Sequence, residues 1–107
     1  MRETIIILTT FPEHELAEAF ARELVTSHLA ACINVLPKMT SIYQWEGKLE
    51  RGEEYQLVIK TSQIHFAAIE ERLKNSHPYA LPELLAIPVV TGSNDYLAWM
   101  NENTHVE

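Results

Sequence analysis

The chain has 107 residues, 47% of them hydrophobic and 21% charged, with a formal net charge of −7. That length suits one domain with a real core, here residues 1–107. The negative balance, with eight Lys and Arg scattered singly, argues against a phosphate-backbone partner. No apolar run approaches the roughly 18 residues of a membrane span. Residues 5–8 lack a basic leader and a small-residue cleavage site, so a cytoplasmic protein without a signal peptide is expected. A single cysteine, Cys32, excludes an internal disulfide and a multi-thiolate zinc site within one chain.

Residues 3–9 contain four consecutive apolar residues and read as a central strand buried on both faces. Thr10-Phe11-Pro12-Glu13 fits a capping box, with the Thr10 hydroxyl accepting from the backbone of residue 13 and Glu13 reaching back. The helix it opens runs to about residue 27. Leu16, Phe20 and Leu24, flanked by Ala17, Ala21 and Val25, make its apolar face, and Glu18 and Arg22 pair on the wet side.

Residues 29–61 form one long antiparallel hairpin turning near Glu46-Gly47. Its first arm, 31–45, would reach roughly 50 Å if straight, whereas a compact chain of this size has a diameter of roughly 34 Å. The arm therefore bends, with Pro37 the place for an edge strand or a bulge, or reaches out to be buried by another copy. In the second arm Val58 adds an apolar residue to the face opposite Leu57 and Ile59, as expected of an inner strand. The acidic stretch 50–54 reads as solvated.

Thr61 or Ser62 is expected to cap a second helix over 63–75, with Phe66, Ile69 and Leu73 buried. Pro78 ends it in a turn. Residues 83–91 read as a fourth strand, in which Pro88 demands an edge or a bulge, and a short helix follows over 94–101. The order β-α-β-β-α-β plus a terminal helix is the ferredoxin-like α+β arrangement, with strands one and three inside, two and four at the edges, and helix-linked strands running parallel as neighbours. Two open edges and the overlong hairpin favour a closed homo-oligomer.

Chemistry-bearing candidates are few. There is no nucleophile elbow, no glycine-rich phosphate loop, no H-E-x-x-H and no cluster of Cys. His14, His28, His65 and His105 read as surface, helix-end, first-turn and tail residues. His77, between Ser76 and Pro78 and close to Tyr79 and Glu83, is the accessible imidazole and the metal-ligand candidate. Cys32 reads as a small buried residue. Tyr43 and Trp45 near the hairpin tip suit an oligomer contact or a stacked ligand. An acylphosphatase-type enzyme would need an arginine-bearing loop after the first strand, where Thr9-Thr10-Phe11-Pro12 stands. An RNA-recognition domain would need paired inner-strand aromatics, where only Tyr55 is present.

LAACINVLP, TSIYQWEGKLE, IKTS, HPYALPELLAIPV and DYLAWM together resemble the CutA family of divalent-cation-tolerance proteins, from Ile5 to Met100. The resemblance implies a ferredoxin-like subunit assembled as a homotrimer, with an extended hairpin between the second and third strands packing on a neighbour, similar in shape to PII-type signalling proteins. It implies divalent-metal (copper) binding, cation tolerance and response to metal ion, and no enzymatic activity. His77 matches the family's H-P-Y motif. Ser76 stands where some bacterial members have a second histidine, and Thr9 or Thr10 where some have a cysteine, so the expected site is weak. The metal candidates are His77 and Glu83; Tyr43, Trp45, Lys60 and Tyr79 are expected at inter-subunit contacts or a cleft. The alternative expectation is a PII-like trimeric regulator or scaffold that binds a small ligand or partner between subunits. For an anionic ligand the available cations would be Lys60 and Lys38.

Overall fold

The computed structural model describes residues 3–104; His105 lies outside them. In chain order the elements are β1 (Thr4–Phe11), α1 (His14–Thr26), β2 (Cys32–Val35), β3 (Met39–Trp45), β4 (Lys48–Ser62), α2 (Phe66–Ser76), β5 (Leu85–Pro88) and α3 (Asn94–Asn103). A short 3₁₀ turn, Gln63–His65, precedes α2. The sheet order is β2-β4-β1-β5, with β3 paired to the outer part of β4. This is the ferredoxin-like arrangement, with the inner and edge strands where proline and apolar runs place them. Every pairing is antiparallel. Helix-linked strands are therefore parallel but not neighbours, because an antiparallel strand lies between each pair.

The core forms on one face of the sheet. Ile5 and Ile7 of β1, facing Thr61 and Ile59 of β4 in register, pack with Leu57 against Ala17, Phe20, Ala21 and Leu24 of α1 and Ile69 and Leu73 of α2. Leu16 and Val25, expected on that face, are exposed. The second face of the sheet is not buried as expected. Ile6, Leu8 and Val58 are only half-covered, and Leu85 and Ile87 beside them are exposed.

Long-range pairing also overrides the local caps. The β1–β4 ladder continues to Phe11 opposite Tyr55, so Thr10 stays in the strand and its hydroxyl donates to Glu54 Oε2 (3.2 Å). Glu13 occupies the N-cap of α1 with no side-chain cap bond. Likewise Thr61 Oγ1 donates to the Leu29 carbonyl (2.6 Å) rather than capping the second helix, and Ser62 makes no cap bond. At the end of α1, Leu29 N–H bonds the Leu24 carbonyl and His28 N–H the Val25 carbonyl. That is a Schellman closure with His28 at φ 64°.

The hairpin both bends and reaches out. Val35 pairs with Leu57 and Met39 with Glu54, so residues 36–38 oppose only Tyr55 and Gln56. The extra residue is a bulge centred on Pro37, which needs no ladder hydrogen bond there. Beyond it β3 and the outer half of β4 close at Glu46 (φ 52°) and Gly47 (φ 80°), a two-residue turn with both residues left-handed. The principal extents are 44 × 26 × 23 Å. The last strand is shorter than expected, ending at Pro88. Among the described residues no helix is long and apolar enough to cross a membrane.

Candidate functional site

Between the inner side of the hairpin and the irregular segment 78–83 lies a cleft of about 830 Å³. Ser41, Tyr43 and Trp45 line its hairpin side, with Thr10 and Glu54 at the root and Pro78, Tyr79, Leu81, Pro82 and Glu83 opposite. Tyr43 and Glu54 share this side because strand alternation from the turn puts residues 41, 43 and 45, and their even-numbered partners across the ladder, on one face.

His77 and Glu83 fix the two ends of the opposite wall against the end of β1. The residue before Pro78 is held extended, as a following proline requires, with His77 at ψ 138°. The ring Nε2 lies 2.6 Å from the Thr10 carbonyl oxygen, and the Tyr79 backbone N–H donates to Nδ1 (3.0 Å). Since the amide can only donate, Nδ1 is the acceptor and Nε2 carries the proton it gives to Thr10. The ring also stacks on Phe11 at 4.4 Å between centroids. At the other end the buried Thr9 hydroxyl donates to the Glu83 carbonyl (2.7 Å).

Two carboxylates face into the space so formed. Glu54 accepts from the Thr10 hydroxyl, and Tyr79 beside it is pushed up to about 12 by burial first, then by the Glu54 charge and hydrogen bonding, and by Tyr43. Burial, then the Glu54 charge, raises Glu83 above the ordinary carboxylate range, while a hydrogen bond from Gln56 works the other way. Among the described residues no Lys, Arg or His lines the cleft, so its negative charge has no cationic neighbour within it.

The structure thus brings Glu83, Tyr43, Trp45 and Tyr79 together. His77 lies behind the wall with both ring nitrogens committed to the backbone. Lys60 is elsewhere: it pairs with Ile6 and Cys32 on the half-covered face of the sheet, where Cys32 is half-buried. Glu54 was read only as part of a solvated stretch. Counting the ladder from Glu46-Gly47 was the signal that would have placed it opposite Met39, on the face that carries Tyr43. His14 is a surface residue, 3.8 Å from Glu18, with its ring edge-on to Tyr55. Among the described residues no three His, Cys, Asp or Glu side chains converge as a metal cage; the cleft lining offers a dication the two carboxylates Glu54 and Glu83.

The family model for the CutA1 divalent ion tolerance protein matches residues 5–103. The chain belongs to the CutA1 family. It is similar to the divalent-cation tolerance protein CutA of Thermus thermophilus, 42% identical over 99 residues spanning 92% of this chain and 96% of that protein. The CutA of Citrobacter koseri is 46% identical over 99 residues, spanning 92% and 86%. The crystal structure of CutA1 from Oryza sativa superposes with a TM-score of 0.95 at 34% identity, covering 99% of this chain and 97% of the rice chain. Every residue of the cleft falls within the CutA1 match.

Proposed function

We propose that this CutA1 chain serves divalent-cation tolerance by binding a dication, copper first, as a homotrimer. The carrying observation is that Glu54 and Glu83 line one cleft, where burial first and the Glu54 charge second raise Glu83. A bound dication would relieve that repulsion. Two carboxylates make a weak site, so further ligands come from a neighbouring copy. Support for assembly is the apolar sheet face of Ile6, Leu8, Val58, Leu85 and Ile87, which the described residues leave half-covered or exposed. In this reading Glu83 is the primary ligand, and His77 joins only by giving up its bond to Thr10 or to Tyr79.

The test is a calorimetric copper titration of the wild type, Glu83→Gln and His77→Ala, with light scattering on the same samples. A three-chain mass and a weakened Glu83→Gln are expected. Unchanged affinity in Glu83→Gln overturns the site, and a one-chain mass at micromolar concentration overturns the assembly. A second reading, a regulator that binds a small ligand in the cleft, is favoured by one observation: about 830 Å³ is the size of a small-molecule pocket.

A further inference from the structure

We infer that the cleft takes a small organic cation, a primary ammonium or guanidinium group carried on an apolar body. The proposal rests on the small-ligand reading and names the class of ligand. Three aromatic side chains, Tyr43, Trp45 and Tyr79, line the same space as Glu54 and Glu83. The π faces of Tyr and Trp attract a cation electrostatically, most strongly where water is thinned out, and a carboxylate accepts charge-assisted hydrogen bonds from an ammonium or guanidinium.

An organic cation needs fewer ligands than a metal ion. Two carboxylates cannot complete the coordination shell of a dication within one subunit, but they satisfy the N–H donors of one ammonium group. Pro78, Leu81 and Pro82 then supply apolar surface for the rest of the molecule. Glu54 is already oriented by the Thr10 hydroxyl. The wall bearing Tyr79 and Glu83 is anchored at both ends to β1 through His77 and Thr9. The site is therefore built before a ligand arrives, which lowers the ordering cost of binding. The same lining excludes the opposite class. An anion entering here would meet two carboxylates and, among the described lining residues, no basic side chain; Lys60 and Lys38 do not line the cleft.

The experiment uses the full chain in chelator-containing buffer, so that no metal contributes. Three probes of one shape are titrated by ligand-observed NMR: benzylammonium, benzyl alcohol and benzoate. Benzylammonium is expected to bind most tightly and benzoate not at all. In Glu83→Gln, benzylammonium is expected to weaken about tenfold, the loss of one charge-assisted hydrogen bond, with benzyl alcohol unchanged as the control for folding. Tyr43→Leu should weaken it several-fold through the lost π face. Equal binding of benzylammonium and benzyl alcohol, or unchanged benzylammonium binding in Glu83→Gln, overturns the proposal. Tighter binding of benzoate overturns it while leaving the small-ligand reading standing, and no binding by any probe overturns both.

Discussion

The two halves of β4 are one continuous strand in opposite surroundings. Residues 55–62 lie between β2 and β1 and put Leu57, Ile59 and Thr61 into the core, each fully buried. Residues 48–54 pair only with β3 and leave large apolar groups in water, Leu49 at 75% and Ile42 at 70% exposure. The change comes at the bulge opposite Tyr55 and Gln56, where the first arm leaves the sheet. Inside that point the subunit's own helices bury the strand. Outside it the same β propensity yields a projecting ribbon on which Ile42 and Leu49 are left largely uncovered by the described residues. Hairpins of two strands are marginal alone in water, so the outer half holds because the inner half anchors it and the turn closes it.

The largest effect should separate the halves directly. Leu57→Ala removes a fully buried side chain and is expected to cost about 3 kcal/mol in urea unfolding. Leu49→Ala, on the outer half, should stay within about 0.5 kcal/mol under conditions where the chain is a monomer. A Leu49→Ala loss that grows with protein concentration would instead show that another copy buries the outer half. Equal costs at the two positions in the monomer would break the comparison.

His77 sits at the boundary between the halves, behind the cleft. His77→Ala removes the acceptor for the Tyr79 amide and the donor to the Thr10 carbonyl, and Thr10 is buried. A loss of about 2 kcal/mol is expected, with faster amide exchange at Tyr79. His77→Asn, which keeps a donor and an acceptor, should recover part of it. A fully stable His77→Ala would mean that the wall is held by Thr9 and Glu83 alone.

The same contrast explains what was legible in the sequence. The strand order, the bend at Pro37 and the turn at Glu46-Gly47 could be read because proline and glycine constrain the backbone locally, and because apolar alternation marks the inner strands. The caps at Thr10 and Thr61 were misread because a ladder formed with distant residues claimed them first. Burial of both faces of β1 was misread from composition. Four apolar residues in a row are also what a strand shows when its second face is left for something outside the subunit. The site was half legible: Tyr43, Trp45, Tyr79 and Glu83 share the cleft, but Glu54 needed the hairpin register. Lys60, expected at an inter-subunit contact or cleft, shares its face of β4 with Glu54 but lies six residues, roughly 20 Å, along the strand from it, so it does not line this cleft.

A smaller effect concerns how the outer half closes. Glu46 adopts φ 52°, a conformation that asparagine tolerates better than glutamate. Glu46→Asn should stabilise the turn by about 0.5 kcal/mol. If the halves unfold together, the urea midpoint rises. If the outer half opens on its own, only amide exchange along Met39–Trp45 slows, and the midpoint stays where it was.

The smallest effect is a slope in pH, and it tests how dry the cleft between the halves is. The Glu83 carboxyl titrates above its ordinary 4.5 in the folded protein. The native state therefore holds a proton that the unfolded chain has released, and stability falls as pH rises through the folded value. The contribution is fully present below 4.5 and is lost toward neutrality. Glu83→Gln should flatten that part of the pH profile of the urea midpoint and raise stability near neutral pH. Burial is the first cause of the shift and Glu54 the second, so Glu54→Gln should remove the lesser part of the slope. If Glu54→Gln abolishes it, repulsion rather than burial governs Glu83. The cleft side of the hairpin would then be as open to water as the side bearing Leu49.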